Sequence, residues 1–69
     1  MNYTYKLLET DMDFFTAALT QVRVSVWQIQ DRREVLMDYG GLIEEYSPLS
    51  IKIRGGRYFR KMYEFRVQK

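Results

Sequence analysis

A chain of 69 residues holds one domain, and a domain this small buries about 60% of the surface its unfolded chain exposes, so its core must be dense. Six Tyr, four Phe and one Trp help to supply that core; without Cys there is no disulfide or thiolate metal site, and without His the commonest general base and metal ligand is missing. The net charge of +2 hides a division, because residues 1–50 carry four basic and eight acidic side chains and residues 51–69 carry seven basic and one acidic.

Residues 2–8 alternate loosely through Tyr3, Tyr5 and Leu7 and read as an extended arm or short strand. Thr10, followed three positions later by Asp13, approximates a capping box. Met12, Phe15, Leu19 and Val22 then recur at helical spacing, broadened by Phe14, Ala17 and Ala18, which predicts a helix over 11–21. At Val22 the period changes to two, and Val24 and Val26 follow on the same parity. Strands are predicted over 22–29, 34–46, 49–54 and 57–67. Gly40-Gly41 marks a bend within the second of these, Ser47-Pro48 a turn, and Gly55-Gly56 a hairpin turn. The parity assigns Phe15, Leu19, Val24, Val26, Ile43, Leu49, Ile51, Ile53 and Phe59 to the core. The fold class is therefore α+β, mainly β: one N-terminal helix, then a strongly bent antiparallel sheet of four or five strands curled into a small barrel. No linker or repeat divides the chain.

No apolar run approaches the roughly 18 residues of a membrane span, and the N-terminus lacks the basic-then-apolar layout of a signal peptide. The expected location is cytoplasmic, with no membrane partner.

The segment Gly41-Leu-Ile-Glu-Glu-Tyr-Ser-Pro-Leu-Ser-Ile-Lys-Ile resembles the Sm signature, in which a glycine opens a strand, a turn follows and an alternating strand returns. The wider order is similar to that of the YolD-like family: a helix, then Val22 to Trp27, Gly41 to Ile43, Ile51 to Ile53 and Phe65 to Val67. The resemblance implies an Sm-like or SH3-like barrel. It also implies an accessory protein of a bacterial or phage DNA-damage response, working beside translesion polymerases.

Catalysis finds little support in the residues. Glu44 and Glu45 are adjacent on a strand and point to opposite faces, while Asp11 and Asp13 are explained by the positive end of a helix. Neither glycine pair precedes a helix or a Lys-Ser/Thr step, so neither is a phosphate loop. The chain is expected to be non-enzymatic, without cofactor or metal. Arg57-Tyr58-Phe59-Arg60-Lys61-Met62-Tyr63 interleaves guanidinium groups with aromatic rings, the combination that nucleic acid exploits. With Phe59 turned to the core, Tyr58 and Arg60 would face outward beside Lys52 and Arg54. Lys52, Arg54, Arg57, Tyr58 and Arg60 are thus the candidate DNA- or RNA-binding residues; charging of solvated strand faces and edges is the competing account. The alternative function is a protein-interaction or self-assembly module built on an edge strand, with Trp27 and Tyr39 as its apolar contacts unless Trp27 packs under the helix against Phe14 or Phe15.

Overall fold

The computed structural model describes residues 5–68. Part of the predicted arm, residues 2–4, lies outside these; the rest is strand β1 (Tyr5–Leu8). Helix α1 (Asp11–Thr20) starts at a capping box: the Asp13 N–H donates to Thr10 Oγ1 (3.1 Å), and the Thr10 N–H donates back to Asp13 Oδ2 (3.0 Å). It ends at Gln21, which takes the left-handed conformation (φ 55°) that glycine usually supplies. After the helix the four predicted strands divide further, into β2 (Val24–Gln30), β3 (Arg33–Gly41), β4 (Ile43–Tyr46), β5 (Ser50–Ile53), β6 (Gly56–Phe59) and β7 (Glu64–Gln68).

These ladders are antiparallel, and they form two sheets ordered β1-β7-β2-β3 and β4-β5-β6. The described residues are mainly β with one helix. The predicted strand 34–46 changes sheet at Leu42, immediately after the glycine pair. The reason for glycine is close approach, since a Cβ on Gly41 would lie 2.6 Å from Arg54 Cγ and 2.9 Å from Ile53 Cγ2. The predicted strand 57–67 is broken by a turn closed by the Met62 N–H to the Phe59 carbonyl (3.0 Å). Among the described residues β6 makes no ladder with β7 or β1, so the expected barrel is open at that seam.

Leu8, Phe14, Ala17, Val24, Val26, Ile51, Ile53 and Phe65 form the core, with Ile43 and Tyr58 packed against it. Four residues expected in that core are not there. Phe15 and Leu19 are exposed because the helix turns its Phe14 and Ala17 side inward, where Phe14 meets Phe65 edge to face at 5.3 Å. Leu49 belongs to a turn rather than a strand: Ser47 Oγ accepts the Leu49 and Ser50 N–H groups (3.2 and 3.1 Å). Phe59 is more than half exposed because the β5–β6 turn residues are Arg54 (φ 52°) and Gly55 (φ 80°), not the glycine pair. Gly56 therefore sits in the ladder opposite Ile53, Tyr58 falls opposite Ile51 on the core face, and Phe59 points away. A slip of one residue inverts every side chain of a strand.

Candidate interaction surfaces

Lys52 and Arg57 are directly opposed in the β5–β6 ladder, and Glu45 of β4 is opposite Lys52 on its other side. The antiparallel arrangement thus brings an acid from the negative half of the chain onto the basic strand face. Glu45 lies 3.1 Å from Arg57 Nη2 and 4.0 Å from Lys52 Nζ. The row carries one net positive charge.

The other three predicted nucleic-acid residues are placed elsewhere. Arg54 occupies the β5–β6 turn, 3.3 Å from Asp38 and 4.9 Å from the centre of the Tyr39 ring. Tyr58 packs inward, where it meets Tyr63 edge to face at 5.3 Å. Arg60, expected to point outward, has a side chain only 14% exposed. It bonds Asp11 Oδ1 (2.6 Å), the Ser47 carbonyl (3.0 Å) and the Glu9 carbonyl (3.1 Å), and it covers the Phe14 ring at 4.5 Å. Arg60 therefore ties the helix start to the β4–β5 turn, a structural task that composition alone does not reveal.

Trp27 does not pack under the helix. It alternates with the core residue Val26 and so lies on the opposite face of the four-stranded sheet. There Tyr5 and Trp27 hold the Arg66 guanidinium at 4.4 and 4.6 Å from their ring centres. Trp27 Nε1 donates to Ser25 Oγ (2.9 Å), and Arg66 donates to Glu64 (2.6 Å) and Glu34 (3.1 Å). The hydrogen bond from Arg66, followed by its charge, holds Glu34 below its ordinary pKa; the same bond raises Arg66 against the opposing effect of burial. The arginine side chain is only 8% exposed, so this cleft of about 340 Å³ is lined by a cation already satisfied. Trp27 and Tyr39 each cover a different arginine and do not form one patch by those contacts.

The surface that the sequence marked only at Tyr39 is β3, on which Tyr39 lies exposed. Between its N-terminus and the bend nearly every residue is exposed, including Val35 (41%), Leu36 (47%) and Met37 (41%), and Ile29 on β2 is exposed beside them. Its outer edge has no ladder partner among the described residues. The strand was legible from alternation; its position at a sheet edge depends on strand order, which no local pattern carries. A second apolar surface, a cleft of about 380 Å³, is lined by Leu49, Phe59, Lys61 and Met62. Among the described residues no three Asp or Glu side chains converge as a metal site would require.

No family model matches this chain, and no curated protein or solved structure matches it.

Proposed function

We propose that the protein is a non-enzymatic binding module that docks an extended segment of a protein onto the open edge of β3. One observation carries this reading: β3 presents an unpaired edge and large apolar side chains on both of its faces. An added strand satisfies the edge backbone groups and covers those side chains together. In the same reading the bent β3–β4 unit followed by β5 and β6 is an Sm-like arrangement left open at one seam. Selection of extended peptides from a random display library tests the proposal. Selected peptides should lose binding to Leu36→Pro and keep binding to Arg57→Ser; peptides indifferent to Leu36→Pro would remove the edge from consideration.

A second reading, binding of DNA or RNA, is favoured by the outward Lys52–Arg57 pair with exposed Phe59 on the same face of β6. The accessory role in a DNA-damage response belongs to this reading. Titration of single- and double-stranded DNA and RNA at two salt concentrations separates the two. If Arg57 neutralises a phosphate, Arg57→Ser should lower the salt slope by about one unit. Absence of binding at low salt would end the nucleic-acid reading.

A further inference from the structure

The geometry points to a second copy of this chain as the occupant of the β3 edge, paired antiparallel about a two-fold axis at Val35; this rests on the proposal that β3 is a docking edge.

The turn between β2 and β3 determines which backbone groups are available. Asp31 (φ 50°) and Arg32 (φ 65°) form a two-residue turn with both central residues left-handed, so Gln30 and Arg33 make the hydrogen-bonded pair that closes it. Bonded and non-bonded pairs alternate along an antiparallel ladder. Arg33 and Val35 therefore direct their N–H and C=O groups toward β2, whereas Glu34 and Leu36 direct theirs outward. The regular run ends after Leu36, where the ladder shifts between Trp27–Leu36 and Val26–Asp38. The open segment is short, regular and bounded at both ends.

Only a few registers use those outward groups. Centring the axis on Glu34 sets two carboxylates face to face, and centring it on Leu36 runs the pairing into the shift that follows Leu36. Centring it on Val35 sets Glu34 opposite Leu36 of the other copy, so both copies exchange backbone bonds and no like charges meet within the regular run. Like charges directly opposed are unfavourable, so the Val35 register is preferred. The other edges offer less apolar surface to cover: β1, β4 and β6 present one large exposed apolar residue each, Tyr5, Tyr46 and Phe59, against Val35, Leu36 and Met37 on this segment of β3.

Sedimentation equilibrium and cysteine cross-linking test this. The parent should approach double the 8.4 kDa chain mass as concentration rises. Leu36→Pro, which removes an outward donor and leaves the β2 ladder whole, should remain a folded monomer by circular dichroism. In a chain without other cysteines, Val35→Cys should cross-link to itself on mild oxidation, because opposed non-bonded residues lie about 4.5 Å apart at Cα, within disulfide range. Ile29→Cys, on β2, should not. A parent that stays monomeric at about 1 mM, or Val35→Cys that cross-links no faster than Ile29→Cys, would overturn the second copy as occupant. If selected peptides still bind the monomer through Leu36, the docking edge stands and only the self-pairing fails.

Discussion

Arg57 and Arg60 differ in what their removal exposes. Arg60 satisfies two backbone carbonyls and a carboxylate at the junction of α1, the β4–β5 turn and β6. Replacing it with Ala leaves those acceptors without their donor, and urea unfolding should show a loss of about 1–3 kcal/mol. Arg57→Ser should cost less, under about 1.5 kcal/mol, since Glu45 is well exposed and only the bond from Arg57 Nη1 to Ser50 Oγ (3.1 Å) involves a buried acceptor. Gln21 and Arg32 are non-glycine residues at φ 55° and 65°. Gln21→Gly and Arg32→Gly should each raise stability by about 0.5–1 kcal/mol, because glycine enters the left-handed region without a Cβ penalty. Asp13 and Glu34 each contribute a pH dependence. The backbone N–H groups of Glu9 and Thr10 hold Asp13 below its ordinary pKa, and Arg66 does the same for Glu34. A depressed carboxyl contributes stability that is present above its ordinary pKa and lost as pH falls through the lowered one. Melting temperature should therefore decline below about pH 4, with a shallower decline in Asp13→Asn and in Glu34→Gln.

Strand β5 shows how alternation and turn placement contribute separately to an element. Ile51 and Ile53 are fully buried, as alternation requires. Ile51→Ala should cost about 2–5 kcal/mol, whereas Leu49→Ala at the exposed turn should cost under about 1 kcal/mol; equal losses would contradict the assigned burial. The helix start, the change of period after it, the bend at Gly40-Gly41 and the β5 alternation were readable because each depends on neighbours a few residues apart. The helix face was not, since Phe14 and Phe15 both fit an apolar stripe and contact with Phe65 selects between them. Parity in β6 failed for a similar reason: three residues, Arg54-Gly55-Gly56, could supply the turn, and the ladder selects the first two. Within the candidate site, the basic excess after residue 50 was visible. Its neutralisation by Glu45, Asp38 and Asp11 was not, because these acids arrive through strand pairing and helix packing.

Strand β1 pairs with β7, placing Tyr5 opposite Gln68 and Leu8 opposite Phe65. In the unfolded chain this ladder closes a loop of nearly the whole sequence, whereas the β2–β3 and β5–β6 ladders close across two residues. At about 0.6 kcal/mol for each doubling of loop length, the difference is roughly 3 kcal/mol of chain entropy. The hairpins should consequently form on the way to the folding barrier, with β1 docking after it. Stopped-flow kinetics on Leu8→Ala should show faster unfolding and an almost unchanged refolding rate, a φ-value near zero. Ile51→Ala, placed in a locally closed hairpin, should slow refolding instead. The protein would then reach its barrier as a three-stranded sheet and a separate hairpin, and its first strand would be the first part to detach when it unfolds.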